Sequence, residues 1–214
     1  MHKIALMVFD FDGTLVDSGK DLAAAVNHAL AAVNAEILAP ERVITYIGDG
    51  VRLLIKRSLG RNNADRFEDA LDRFMTYYSE HMLDTTTLYP GVTEVLDHFA
   101  GVSRVVVTNK IEKFTIPMMK RLNIHHRFDE IVCMDSNSFS KPDPRLMSGL
   151  LRKYGIPGEH SAVVGDGTHD IQMAKSAHAW SCALTQGFTG RERLLEMNPD
   201  YCCDDIRDVM NIFY

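Results

Sequence analysis

Short apolar runs alternate with amphipathic stretches along most of the chain. The first run, residues 4–9, has no polar gap and ends at Asp10, which predicts a strand buried on both faces. Similar runs predict strands at residues 104–107, 130–133, 161–164 and 180–184, with a weaker one at 201–203. Apolar residues at helical spacing predict helices at residues 92–100, 113–122, 144–154, 170–176 and 191–197. The alternation predicts an α/β fold, a Rossmann-like parallel sheet core with helices on both faces.

Residues 17–83 break this rhythm and contain no run typical of a strand. Helices are predicted at residues 21–35, 40–46, 51–59 and 64–83. The last of them carries Phe67, Leu71, Phe74 and Tyr78 on one face. We therefore expect a small all-helical cap domain at residues 16–86, inserted into a catalytic core formed by residues 1–15 and 87–214.

Composition and charge exclude several classes of partner. The 214 residues are 46% hydrophobic, enough for a sizeable core. The 23 basic and 29 acidic residues give a charge of −6, and no Lys/Arg block predicts binding to nucleic acid or membrane. The first apolar run is too short for a signal peptide or a membrane span. Four cysteines without a C-x-x-C pair predict reduced thiols in a cytoplasmic protein.

Acidic residues follow two of the predicted strands. Asp10 and Asp12 end the first strand, Asp166 follows the strand at 161–164, and Asp170 lies in the next helix start. The carboxyl ends of strands in open α/β sheets are where ligands bind. Adjacent carboxylates repel unless a cation intervenes, and a hard dication prefers oxygen ligands. The pattern predicts a metal site, although helix capping alone would also explain the second pair.

A threonine and a lysine lie between the two acidic pairs in the sequence. Thr108 follows the strand at 104–107, where strand gives way to helix. A hydroxyl and the free amides of a helix start can together bind phosphate. Lys141 precedes Pro142, which disfavours helix and places the lysine on a turn suited to hold charge against phosphate. Taken alone, Thr108 could be a cap and Lys141 a solvated loop residue. The order of acidic pair, hydroxyl, lysine and second acidic pair is stronger evidence for a phosphate site than either residue alone.

This ordered set resembles the haloacid dehalogenase superfamily of hydrolases. Its D-x-D-G-T motif stands at residues 10–14, its Thr/Ser motif at Thr108, its lysine motif at Lys141 and its G-D-x-x-x-D motif at 165–170. Within the superfamily the sequence is similar to phosphoglycolate phosphatases at four stretches, residues 10–18, 47–50, 89–92 and 107–110. It departs from that group at residues 137–140 and at Gly167, where Ser or Thr is more frequent.

The resemblance implies a Mg²⁺-dependent phosphatase with an aspartate nucleophile. Asp10 would attack phosphorus to form an aspartyl-phosphate, and Asp12 would act first as acid and then as base. Mg²⁺ would be held by the Asp10 carboxylate, the Asp12 backbone carbonyl and Asp166. An acid at Asp12 favours a phosphate ester, because a halide leaves without a proton.

The remaining motif residues would surround the transferring phosphoryl group. Thr108, the Asn109 amide and Lys141 are implied to bind its oxygens. Asp170 is implied to orient a metal-bound water or Lys141 rather than to bind the metal directly. No role is predicted for His169 or for Gly167.

The predicted cap is where substrate specificity is expected. Gly48 and Gly50 flank a loop that could approach the substrate, and Arg52 and Lys56 follow one helical turn apart. We hypothesise that one of these basic residues, or the loop's own amides, binds the carboxylate of phosphoglycolate. Solvated basic residues on a helix are the alternative explanation.

Other functions stay open at this point. The same scaffold could serve a sugar-phosphate mutase, a pyrophosphatase or a nucleotide phosphatase. A non-catalytic binding protein would not need the complete set of motif residues. The expected partner is a small phosphorylated metabolite, with the chain acting as a monomer or a homodimer.

Overall fold

A computed structural model describes residues 1–214, in which strands and helices largely alternate, whereas at residues 19–81 four helices follow one another. The strands are β1 (Leu6–Phe9), β2 (Val16–Asp17), β3 (Thr87–Leu88), β4 (Ser103–Val107), β5 (Glu130–Val132), β6 (Ser161–Gly165), β7 (Trp180–Leu184) and β8 (Tyr201–Cys203). The helices are α1 (Gly19–Ala32), α2 (Pro40–Ile44), α3 (Val51–Leu59), α4 (Phe67–His81), α5 (Val92–His98), α6 (Glu112–Arg121), α7 (Pro144–Tyr154), α8 (Thr168–Ser176), α9 (Arg191–Glu196) and α10 (Val209–Ile212). None of the helices has the length and apolar character needed to cross a membrane.

The chain folds into two compact units. The first, which we call the core unit, comprises Met1–Val16 and Leu88–Tyr214. The second, the cap unit, comprises Asp17–Thr87. The chain passes between the units through the short strands β2 and β3, which form a two-stranded sheet.

The core unit is built on a six-stranded parallel sheet. Its strands lie in the order β5-β4-β1-β6-β7-β8. Numbered by their sequence order within this sheet, they give the arrangement 3-2-1-4-5-6 of doubly wound nucleotide-binding folds. The winding direction reverses between β1 and β6, where Phe9 lies opposite Val164. Since ligands bind beyond the carboxyl ends of the strands at such a reversal, the ends of β1 and β6 frame the expected site.

Strand β1 is buried on both faces. Leu6 and Val8 belong to an apolar cluster that includes Leu146 of α7 and Met173 of α8. Met7 points to the opposite face and is also fully buried. A strand covered on both faces requires an unbroken apolar sequence, which explains why no polar residue lies between Lys3 and Asp10. The predicted α/β class is confirmed.

The cap unit consists mainly of the helices α1 to α4. Helix α1 packs against both α2 and α4. The predicted bounds of two helices were wrong. The helix expected at residues 64–83 starts only at Phe67, because Arg61–Arg66 forms a 3₁₀ segment interrupted by non-helical backbone at Asn63. The helix expected at residues 21–35 ends at Ala32, close to Asn34, whose positive φ of 54° is incompatible with a continuing helix.

A buried aspartate joins the two ends of the cap unit. Asp21, in the first turn of α1, accepts hydrogen bonds from the hydroxyls of Thr85 and Thr86 at 2.6 and 2.7 Å. It also accepts from the backbone N–H of both threonines. Burial would raise the pKa of Asp21, but these hydrogen bonds outweigh it and hold the pKa below its ordinary value. The first and last turns of the cap unit are therefore held side by side.

Candidate active site

The motif residues of the core unit all lie at the carboxyl edge of the sheet. Asp10 and Asp12 follow β1, and Asp166 follows β6. The segment Thr108–Lys110 follows β4, and Lys141 lies in the loop between β5 and α7. Parallel strands bring these loops to one edge although the residues are spread over much of the chain.

Lys141 joins two of the aspartates. Its Nζ lies 2.7 Å from Asp10 Oδ1 and 2.7 Å from Asp170 Oδ1, and its side chain is 2% exposed. The side chain of Asn109 holds the Lys141 backbone in place, since it accepts from the Lys141 N–H at 3.1 Å and donates to the Lys141 carbonyl at 3.2 Å. The loop that carries the lysine is thereby fixed to the end of β4.

Asp166 is held by a threonine of the first motif. Thr14 Oγ1 donates to Asp166 Oδ1 at 3.0 Å and accepts from the Asp166 N–H at 3.0 Å. The Phe188 N–H donates to the other carboxylate oxygen at 2.8 Å. A Cβ on Gly13 or Gly187 would lie 2.3 Å from atoms of Asp166, so both close approaches require glycine. The sequence predicts Thr14 as part of the first motif but not its contact with Asp166.

Asp10, Asp166 and Asp170 form an acidic cluster whose candidate ligand atoms all lie within 4.8 Å of one another. Burial raises the pKa of Asp166 to about 7. Burial also raises the pKa of Asp10 well above its usual range, and attraction to Lys141 offsets only part of this. Burial alone would lower the pKa of Lys141, but Asp10 and Asp170 attract its charge and raise it instead.

Asp12 is paired with a different lysine. Lys110 Nζ lies 2.9 Å from Asp12 Oδ1 and 3.1 Å from Asp12 Oδ2. Sequence reasoning expected Asp10 and Asp12 to share one cation and gave Lys110 no role. The sequence signal that could have pointed to Lys110 was its position directly after Thr108 and Asn109, at the end of a buried strand.

The charges of this site fit a divalent cation. Four aspartates and two lysines, all largely buried, leave two negative charges when every group is ionised. Uncompensated buried charge is costly, so the cluster must take up protons or a cation. Carboxylate oxygens at this spacing are suitable ligands for a hard dication. The acidic cluster is therefore compatible with metal binding.

The expectation that Thr108 lies at the start of a helix was wrong. Helix α6 begins only at Glu112, and Thr108 lies in the preceding loop. Its own N–H donates to the Val132 carbonyl at 2.9 Å, and its Oγ1 accepts from the Lys110 N–H at 3.1 Å. The pairing of β4 with β5 extends past Val107 and delays the helix. Thr108 instead shapes the turn that carries Asn109 and Lys110.

Within the cap unit, the candidate specificity residues lie around the start of α3. Gly48 and Gly50 both have positive φ, 120° and 86°, which favours glycine at these positions. Asp49 between them forms an ion pair with Arg57. Arg52 pairs with Glu68 at 2.7 Å, both side chains being mostly exposed.

Arg52 also lines a cavity of about 890 Å³ on the cap unit, together with Lys56 and the aromatic residues Tyr46 and Phe67. Its guanidinium lies 4.8 Å from the centre of the Phe67 ring. The cavity thus combines cationic and aromatic side chains.

The core unit is doubly wound, aspartates follow β1 and β6, and a helical segment is inserted after β1. The model of the haloacid dehalogenase-like hydrolase family matches residues 7–184, and the chain belongs to this family. Its relatives include proteins named phosphoglycolate phosphatase. A phosphoglycolate phosphatase from Agrobacterium fabrum is 35% identical over 206 residues, covering 94% of this chain and 88% of the relative.

Two further comparisons cover nearly the whole length of both chains. A phosphoglycolate phosphatase from Vibrio cholerae is 34% identical, over 99% of this chain and 98% of the relative. A crystal structure from Haemophilus somnus, described as a predicted phosphoglycolate phosphatase, has a TM-score of 0.92 at 33% identity. It covers 98% of this chain and 97% of that chain. The predicted family is confirmed.

Proposed function

We propose that this chain is a Mg²⁺-dependent phosphatase that hydrolyses phosphoglycolate through an aspartyl-phosphate. The observation that carries the proposal is the environment of Asp10, a buried carboxylate at the reversal point of the sheet, 2.7 Å from Lys141. A carboxylate beside a fixed ammonium and two further acids is suited to attack an anionic phosphate once extra positive charge is present.

The first step forms a bond between Asp10 and phosphorus. Lys141 and the Phe11 N–H both contact Asp10 Oδ1, so we assign the attack to Oδ2. As that bond forms, the bond from phosphorus to the ester oxygen breaks, and the leaving oxygen takes the proton of Asp12. Thr108, the backbone amide of Asn109 and Lys141 bind the phosphoryl oxygens during the transfer.

The second step returns the enzyme to its starting state. Asp12, now a carboxylate, takes a proton from a water molecule that attacks the phosphorus of the aspartyl-phosphate. The bond between phosphorus and Asp10 breaks, releasing inorganic phosphate and restoring both carboxyl groups. The same residue therefore serves as acid and as base in turn.

Asp10, Asp166 and the Asp12 backbone carbonyl are the groups that would hold Mg²⁺. When bound, the ion supplies the positive charge that allows the Asp10 carboxylate and a phosphate dianion to approach each other. Asp170 keeps Lys141 in place, which agrees with a supporting role rather than a ligand role.

Phosphoglycolate is proposed because the relatives with that activity match this chain over nearly its full length. Substrate recognition is proposed for the cap unit, at Gly48, Gly50 and Arg52. We also propose that the protein acts in the cytoplasm, because all four cysteines are free thiols. Either a monomer or a homodimer agrees with a site built entirely from one chain.

The proposal is tested by measuring phosphate release with Mg²⁺ from phosphoglycolate, a hexose phosphate, pyrophosphate and a nucleotide. We expect the highest kcat/KM for phosphoglycolate. Asp10→Asn should lower kcat by at least about 10³-fold, since the nucleophile is lost, and EDTA should abolish turnover reversibly. Activity that persists in Asp10→Asn or in EDTA would contradict the mechanism, and a preference for another ester would contradict the substrate.

A further inference from the structure

The contact between Lys110 and Asp12 is a second buried ion pair in the core unit, separate from the cluster around Lys141. The ammonium of Lys110 lies 2.9 and 3.1 Å from the two oxygens of Asp12. The side chains are 6% and 13% exposed, although the two residues are 98 positions apart in the sequence. An ion pair this well buried requires close geometry to offset the loss of hydration.

The backbone around Lys110 is fixed on both sides. Its N–H donates to Thr108 Oγ1 at 3.1 Å, and its carbonyl accepts from the Met134 N–H at 3.2 Å. The lysine therefore extends from a rigid turn at the end of β4 towards the loop after the neighbouring strand β1. An anchor of this kind can define where a partner carboxyl group lies.

Contact with both oxygens restricts the orientation of the Asp12 carboxyl group. A single hydrogen bond would leave the carboxyl plane free to rotate about the Cβ–Cγ bond, whereas an ammonium placed between the two oxygens restrains it. Proton transfer to a leaving oxygen needs a donor within hydrogen-bond reach, and small misplacements of catalytic groups are costly. After it has given up its proton, Asp12 is a buried carboxylate, and Lys110 is the cation beside it.

We propose that Lys110 is a positioning residue that holds Asp12 in place for proton transfer to and from the ester oxygen and water. This inference rests on the proposed function, in which Asp12 is the acid and base. Lys141 serves the nucleophile Asp10, so each of the two aspartates of the first motif has its own lysine.

The test uses two esters that differ in their need for an acid. An alkyl phosphate such as phosphoglycolate has a basic leaving oxygen that must be protonated, whereas p-nitrophenolate leaves readily without a proton. Because general acid catalysis contributes about 10²–10⁴-fold, Lys110→Met should lower kcat for phosphoglycolate by about 10²-fold. For p-nitrophenyl phosphate we expect a loss below about tenfold, with KM for both esters changed by less than about threefold.

Three further variants complete the experiment. Asp12→Asn should show the same selective loss, and adding Lys110→Met to it should cost little more, because both changes remove one function. Lys113→Met, at an exposed lysine three positions away, is the matched control and should behave like the unmodified protein. Lys110→Gln keeps a polar side chain and is measured in parallel. If Lys110→Met misfolds, the kinetics of Lys110→Gln still test the positioning role.

The outcomes separate this inference from the proposed function. If the unmodified protein releases phosphate and Asp10→Asn does not, the proposed function stands whatever Lys110 does. Equal losses on both esters in Lys110→Met and Lys110→Gln would overturn the positioning role. So would a rise in KM, which would instead indicate direct substrate binding, or unchanged kinetics in both variants. No turnover of either ester by the unmodified protein would contradict the proposed function itself.

Discussion

Lys141 is shared by two carboxylates that belong to different motifs. Its ammonium lies 2.7 Å from both Asp10 and Asp170. Its backbone is bound on two sides by Asn109. An ammonium enclosed by acids keeps its charge despite burial, as the raised pKa of Lys141 shows. The same residue is therefore expected to matter for stability as well as for activity.

Lys141→Met should lower the free energy of unfolding of the metal-free protein by about 3–5 kcal/mol, because two buried carboxylates lose their cation. The measurement is urea unfolding in EDTA. Lys153→Met is the matched control, since Lys153 pairs with Glu130 at 2.8 Å but is 61% exposed. An exposed pair contributes under about 1 kcal/mol. Similar losses in the two variants would contradict the account of Lys141.

At the scale of elements, α3 carries three of the cationic residues of the cap unit, Arg52, Lys56 and Arg57. Gly48 and Gly50 give the loop a fixed shape through their positive φ, and Asp49 is tied to Arg57. The pair between Arg52 and Glu68 is exposed, and such pairs contribute little free energy. Arg52 can therefore exchange Glu68 for the carboxylate of a ligand at small cost.

Arg52→Ala should raise KM for phosphoglycolate about tenfold and leave kcat within about twofold, because a charged hydrogen bond to a non-reacting group is lost. Steady-state kinetics with Lys56→Ala measured in parallel test the two cationic candidates. Arg73→Ala is the control, since Arg73 also lies in the cap unit and forms an exposed pair, with Asp69 at 3.1 Å. Unchanged KM in both Arg52→Ala and Lys56→Ala would remove basic cap residues from substrate recognition.

At the scale of the whole molecule, the buried acids couple folding to pH. The pKa of Asp166 is raised from 3.8 to about 7, so the folded protein retains a proton that the unfolded chain has already lost in this range. The stabilisation is complete below about pH 4 and disappears as the pH rises through about 7. Asp143 and Asp205, with pKa values lowered to about 2, titrate below this window.

The free energy of unfolding in EDTA should therefore fall between about pH 4 and 7, by up to about 1.4 kcal/mol per pH unit for each group involved. Saturating Mg²⁺ should oppose the fall, since an ion that binds only the folded state adds stability where the acids are ionised. Urea unfolding across this pH range, with and without Mg²⁺, provides the measurement. Asp166→Asn should reduce the slope, and an unchanged slope would refute the assignment to this cluster.

The sequence allowed the fold to be predicted because its signals are local. A buried parallel strand needs an unbroken apolar run, and such runs marked all six strands of the sheet within two residues at either end. The acids that end β1 and β6 were visible for the same reason. The helix predicted from residue 113 begins at Glu112. The expectation that Thr108 lies where strand gives way to helix was wrong, because pairing with β5, a tertiary contact, continues past the apolar run.

Contacts between distant side chains could not be predicted in this way. The pair between Lys110 and Asp12 spans 98 positions, and the bonds between Thr14 and Asp166 span 152. The position of Lys110 after a buried strand places it near the site, but the local pattern does not show that it pairs with Asp12. Its role depends on β4 lying beside β1, which is a property of the sheet order.

The bonds from Asp21 to Thr85 and Thr86 have a consequence for how the chain folds. Strands β1 and β4 are neighbours, yet roughly ninety residues separate them, and closing so long a loop carries an entropic cost. Once the cap unit has folded, its two ends are held together, so the loop that must close between β1 and β4 is effectively much shorter. By the logarithmic dependence of closure entropy on length, this lowers the cost by about 1 kcal/mol. An early-folding cap unit would therefore hasten the pairing of the strands at the centre of the sheet.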